Sequence, residues 1–267
     1  MTEKCPTEFY RYRSLSSGAS EYVERTICHN ELYFAPPRSF NDPFDCRPCF
    51  SFEGTAREMD SYYQRLYRGH LPELNRAERR KEARSTRRDK GRNPTGLEAE
   101  LRMQELHTEE ITNNIGVLCL SANRDDILMW SHYADSHRGI CLEFDGYYEF
   151  FANALEVQYQ PSRPTINPFK QTRTEMMNAA LLSKSEHWKY EEEWRAIQYN
   201  GGPGVYRFPP KALTGIILGA QISEPDRAKL HGWVTQRTDS LRLYQSTPSK
   251  TTFSLHVEEI DLGALLL

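Results

Sequence analysis

Three carboxylates and an arginine stand inside an aromatic frame in Trp188-Lys189-Tyr190-Glu191-Glu192-Glu193-Trp194-Arg195. The residues that follow, Ala196-Ile197-Gln198-Tyr199, read as strand. Successive side chains of a strand point to opposite faces. A strand through this stretch therefore puts Glu191, Glu193 and Arg195 on one face and Tyr190, Glu192 and Trp194 on the other. A guanidinium beside two carboxylates keeps one ionised while its neighbour is pushed toward protonation, which is the raw material of acid–base or electrostatic catalysis. A solvated strand edge with an ordinary ion pair has the same sequence. Both readings stand at this point.

Other candidate groups are spread along the chain. His132 lies in Met129-Trp130-Ser131-His132-Tyr133-Ala134, a helix entered through Asn123-Arg124-Asp125-Asp126, acidic at its start as the helix dipole favours. His132 reads either as a tie between this helix and a loop or as a catalytic acid or base. Its spacing to His137 is not a zinc spacing, and Cys46-Arg47-Pro48-Cys49 has no second pair, so no metal is expected. Phe40-Asn41-Asp42-Pro43-Phe44-Asp45 is a loop by composition. It reads as a packed Asx turn anchored by its two phenylalanines, or as the edge of a ligand site.

The elements that must position these groups follow from the patterning. Residues 9–13 alternate as a first strand, with Tyr10 and Tyr12 facing one way and Arg11 and Arg13 the other. Helical spacing follows over 21–28, a second strand over 31–35, and a helix over 59–74. Residues 75–93 are dense in arginine and almost devoid of apolar side chains, which fits a solvated insertion or a phosphate-contacting arm. Helix resumes over 97–113, and residues 115–121 form the most apolar, central strand. Strands are expected over 140–144, 213–218, 241–244 and 252–257, with helices over 174–185 and 224–237. The whole of 1–267 reads as one α+β domain with a mixed, mostly antiparallel sheet and helical insertions. The composition, 38% hydrophobic, 27% charged, 12% aromatic with a net charge of -3, suits a soluble cytoplasmic protein and does not suggest a globally basic nucleic-acid binder. No apolar run is long enough to span a bilayer, and no membrane partner is expected. Six cysteines in the first 141 residues read as free thiols.

Four stretches together resemble a bacterial family catalogued as a domain of unknown function: Phe9-Tyr10-Arg11-Tyr12-Arg13-Ser14, the Phe40–Asp45 loop after Glu31-Leu32-Tyr33-Phe34, Met129 through Ala134, and Trp188 through Arg195. The match spans about residues 9–219. In order and character of elements the chain is also similar to the ADP-ribosyltransferase superfamily, especially its DNA- and RNA-modifying toxins. That second resemblance implies NAD as substrate, an ADP-ribosyltransferase-like fold, and a toxin or phage-defence role. It makes Glu193 the carboxylate that stabilises the oxocarbenium-like ribose, with Glu191 preparing the acceptor and His132 joining them. Tyr33 or Tyr133 would stack on nicotinamide, and Arg11 or Arg13 would hold ribose or pyrophosphate oxygens. Asn41, Asp42 and Arg195 complete the expected cofactor contacts, and a nucleic acid or a protein would accept the ADP-ribose. Neither GxGxxG nor GxxxxGK occurs, so Rossmann or P-loop binding is not expected. The rival readings are a metal-independent nuclease or nucleic-acid-binding effector, and a non-catalytic module recognising a peptide or nucleotide.

Overall fold

The computed structural model describes residues 6–90 and 95–266. Cys5 and residues 91–93 of the arginine-rich stretch lie outside the described residues. The chain divides into two compact units, the first formed by Met1–Pro36, Ile115–Val157 and Glu186–Leu267, the second by Pro37–Asn114 and Gln158–Ser185. Among the described residues, no helix is long and apolar enough to cross a membrane.

The first unit is built on a mostly antiparallel sheet of eight strands, as the patterning predicts. Their order is Leu255–Ile260, Arg242–Pro248, Leu213–Leu218, Ile140–Asp145, Glu8–Arg13, Gly116–Ser121, Glu193–Gln198 and Leu155–Glu156. The pair Leu213–Leu218 and Arg242–Pro248 is parallel, and the helix Glu224–Val234 makes the crossover that a parallel pair requires. Side-chain alternation divides the core between the two faces. One face buries Phe9, Leu118, Leu120, Leu142, Phe144 and Ile216 with Val23 and Ile27 of the helix Ser20–His29. The other buries Tyr10, Tyr12, Cys141, Ile217 and Tyr244 with Met129 and Trp130 of the helix Ile127–Tyr133.

That short helix is fixed at both ends. Asp126 Oδ1 accepts the backbone N–H groups of Leu128 and Met129 at 2.8 and 2.9 Å, satisfying donors the first turn cannot. The Trp130 indole N–H donates to the Arg124 carbonyl at 3.1 Å, and its ring meets Tyr12 edge-on at 5.2 Å. After Ala134 three residues run left-handed, Asp135, Ser136 and His137 with φ of 49, 52 and 68°, a conformation that costs L residues energy. The chain then enters the next strand through Gly139. A Cβ there would lie 2.1 Å from the Arg13 carbonyl oxygen, so glycine alone allows the close approach.

Two differences from the sequence expectation matter. The stretch Glu186–Glu191 is a 3-10 turn, Glu192 is left-handed with φ of 43°, and the strand begins only at Glu193. The second expected strand is present as Glu31–Phe34, but its ladder partner is Gly204–Arg207 and not a strand of the large sheet.

In the second unit the helices Ala56–His70 and Arg173–Leu181 each start with a reciprocal capping box, Thr55 with Glu58 and Thr172 with Glu175. Tyr63 and Phe169 form its aromatic centre, with Phe52 and Tyr62 packed on them. The arginine-rich stretch is largely the helix Arg76–Lys90, on which Arg76, Arg80, Arg84 and Arg88 are exposed at four-residue spacing. Two short parallel pairs complete the unit, Cys49–Phe50 with Thr165–Ile166 and Gln158–Gln160 with Ser183–Ser185.

Candidate functional site

Glu193 and Arg195 share a face of their strand, as alternation requires, and they engage each other there. Arg195 Nε donates to Glu193 Oε1 at 2.8 Å and Nη2 to Oε2 at 3.0 Å, a two-pronged pair with Arg195 0% and Glu193 3% exposed. Glu192 is exposed, on the solvent side of its left-handed turn. Glu191 is also buried, although it precedes the strand. Its Oε1 accepts the Tyr133 hydroxyl at 2.6 Å, a charge-assisted bond, and its carbonyl accepts the Ser121 hydroxyl at 2.7 Å. The 3-10 turn thus carries Glu191 under the Ile127–Tyr133 helix, and the sheet brings Glu193 and Arg195 to the same face. Glu191, Glu193, Arg195 and Tyr133 all belong to this face of the first unit.

His132 stands at the rim. Its Nδ1 is 2.9 Å from the Tyr190 hydroxyl, and its ring lies edge-on to Tyr190 and Trp188 at 6.0 and 6.2 Å between centroids. This links the helix to the 3-10 turn and forms an aromatic wall of Trp188, Tyr190 and His132.

Arg11 and Arg13 lie on the opposite face of the sheet, the face that carries Phe9 and the helix Ser20–His29, because they alternate with Tyr10 and Tyr12. The ladder between Glu8–Arg13 and Gly116–Ser121 holds at Tyr10–Ser121 and goes no further, while Ala35 bridges Val117 beyond it. Into this opening Arg11 sends Nη1, which donates to the Cys119 carbonyl at 2.9 Å. Its Nε is buried without a hydrogen-bond partner. Burial, and after it the neighbouring Arg13 charge, pull the Arg11 pKa well below its usual value; burial does the same, less strongly, to Arg13. Among the described residues no carboxylate pairs with either guanidinium. Arg13 lines a small cleft with Tyr33, Tyr22 and Arg25, and the two tyrosine rings are 6.2 Å apart.

Glu143 is a further buried charge, outside the motifs that mark the site in the sequence. It lies across the sheet from Glu193 through a continuous register, Glu193–Ser121–Tyr10–Glu143–Gly215–Arg242. Glu143 is 1% exposed, and its Oε1 accepts Arg242 Nη2 at 2.5 Å and the Thr214 hydroxyl at 2.9 Å. Gly215 leaves the space over which this pair closes; a Cβ there would be 3.1 Å from Glu143 Oε1. Burial, with Glu143 next in weight, raises the Tyr10 pKa. A lone charge inside Ile140-Cys141-Leu142-Glu143-Phe144 was the available signal.

Asn41 and Asp42 belong to the second unit. Asp42 is buried, and its Oδ1 accepts the Phe44 N–H at 2.8 Å, the Asx turn that the loop composition suggests. Phe44, expected as an anchor, is 63% exposed instead. Among the described residues no cluster of His, Cys, Asp and Glu is arranged to hold a metal.

No curated protein and no solved structure matches the chain significantly. Residues 129–196, the span that carries Tyr133, Glu191, Glu193 and Arg195, match the family described as "Protein of unknown function (DUF2971)".

Proposed function

We propose that the first unit binds NAD and breaks its nicotinamide–ribose bond, passing ADP-ribose to water or to a nucleic-acid or protein acceptor. The observation that carries this reading is the environment of Glu191: a buried carboxylate that accepts the Tyr133 hydroxyl at 2.6 Å, two residues from the Glu193–Arg195 pair. Cleavage leaves positive charge on the ribose, and a fixed carboxylate nearby is worth most where water is excluded. Glu193 is gripped by two hydrogen bonds from Arg195 on the strand. Glu191, buried at the end of the 3-10 turn under the Ile127–Tyr133 helix, is the acting carboxylate in this account, and the Glu193–Arg195 pair holds the strand entrance that positions it. Trp188 and Tyr190 offer aromatic faces for nicotinamide. Arg11 and Arg13, with Tyr33 beside Arg13, lie on the opposite face of the sheet and take no part in a dinucleotide held at Glu191. The toxin or phage-defence role rests on the superfamily resemblance. Calorimetric titration with NAD and ADP-ribose tests the proposal: both should bind, and an absence of binding by either contradicts it.

A second reading has its own observation. The exposed Arg76, Arg80, Arg84 and Arg88 stripe suits a polyphosphate backbone. Under it, short oligonucleotides bind with an affinity that falls steeply with added salt, and NAD does not bind.

A further inference from the structure

The second unit contains a cavity of ≈ 220 Å³ between the Asp42–Asp45 turn and the parallel pair Gln158–Gln160 and Ser183–Ser185. Such a volume holds several waters or one small molecule. Two of its charges answer each other: Lys184 Nζ lies 3.9 Å from Asp45 Oδ2, both side chains buried. Two others do not. Asp42 is 7% exposed and accepts a backbone N–H, with no cation paired to it among the described residues. Arg163 donates Nε to the Arg47 carbonyl at 2.7 Å and Nη2 to the Pro48 carbonyl at 3.3 Å, both neutral groups, and no carboxylate pairs with it among the described residues. Gln160 lines the same cavity, and its Nε2 is buried without a hydrogen-bond partner. A buried donor left unmade costs about 1–3 kcal/mol, so native structures seldom leave one without a ligand or water to meet it.

We propose that this cavity binds a small zwitterion, a free α-amino acid. Its ammonium group meets Asp42, its carboxylate meets Arg163 and the Gln160 amide, and its side chain lies against Pro161 and Pro164. A cavity with one unanswered charge of each sign and an unmade amide selects a ligand carrying both charges over one carrying either alone. The site lies wholly within the second unit and is independent of the NAD chemistry proposed for the first.

The test is a thermal-shift titration of the full chain with the common α-amino acids, with the N-acetyl amide of each amino acid that shifts the midpoint, and with inorganic phosphate and ribose. At least one amino acid should raise the midpoint saturably, while its blocked form, phosphate and ribose should not. Asp42→Asn keeps the Asx turn and removes the charge, and should weaken binding at least about tenfold, the scale of a lost charged hydrogen bond. Gln160→Leu should abolish the shift without lowering the ligand-free midpoint, since it removes an unmet amide from a buried position. A shift by phosphate or ribose alone, a shift equal for free and blocked amino acid, a shift unchanged in both variants, or no shift with any compound overturns the proposal.

Discussion

Arg195 and Glu193, two residues apart on one strand, close on each other through two hydrogen bonds of 2.8 and 3.0 Å inside the first unit. Taking two charges out of water is costly, and good geometry is what offsets it. Removing the guanidinium takes two hydrogen bonds from the buried Glu193 carboxylate. Arg195→Met is expected to cost about 3–5 kcal/mol, and Glu193→Leu combined with Arg195→Met to cost less than Arg195→Met alone. Urea denaturation of the single and double variants measures this. A double variant less stable than Arg195→Met would mean that the charges themselves stabilise the fold.

Face assignment was legible in the sequence at Glu193 and Arg195, and at Tyr10 and Tyr12 against Arg11 and Arg13, because strand alternation is a local property. The start of that strand was not. Glutamate carries no signal for positive φ, so the left-handed Glu192 and the 3-10 turn before it are invisible to pattern. Pairing was harder still. Glu31–Phe34 has the composition of a sheet strand, yet its partner Gly204–Arg207 is remote in sequence, and only tertiary packing selects it over the large sheet. Glu143 became visible as a site residue once the register set it beside Arg242.

Tyr133→Phe removes the hydroxyl that Glu191 accepts at 2.6 Å. A hydrogen bond to a charged group contributes about 1.5–3 kcal/mol, so the variant should lose stability in that range. Chemical denaturation measures it; a loss below a few tenths would show that Tyr133 does not hold the carboxylate.

Arg13→Gln tests which face of the sheet holds the site. Arg13 is desolvated and lacks a carboxylate partner among the described residues, so its removal should leave stability unchanged or raised. Affinity for ADP-ribose should be unchanged, because Arg13 lies on the face opposite Glu191. Paired calorimetry and thermal unfolding read both; a stability loss makes Arg13 a structural residue, and a loss of affinity contradicts the placement of the site beside Glu191.

His107 gives the second unit an acid sensitivity. It stacks on Phe50 at 6.0 Å, and its Nε2 lies 3.4 Å from the Tyr62 hydroxyl. Burial lowers its pKa below the ordinary histidine value, with Glu110 opposing in part. The unfolded chain then binds the proton more readily than the folded one, so stability rises with pH through this window. The contribution is complete above the unfolded value near 6.5 and is lost as pH falls toward the lowered folded value. His107→Phe should flatten the unfolding midpoint between about pH 5 and 7, the range where histidine titrates. An unchanged pH profile in that variant would contradict the assignment.

The most direct measurement of the central claim is nicotinamide release from NAD by the parent chain and by its Glu191→Gln and Glu192→Gln variants, each first shown to be folded. The account predicts release by the parent, a fall of about a hundredfold to a thousandfold for Glu191→Gln, as when one aimed electrostatic group is lost, and a rate close to the parent's for the exposed Glu192→Gln. NAD binding should survive Glu191→Gln, because the charge on the ribose develops only in the transition state. No release by the parent, or full release by Glu191→Gln, would contradict the account.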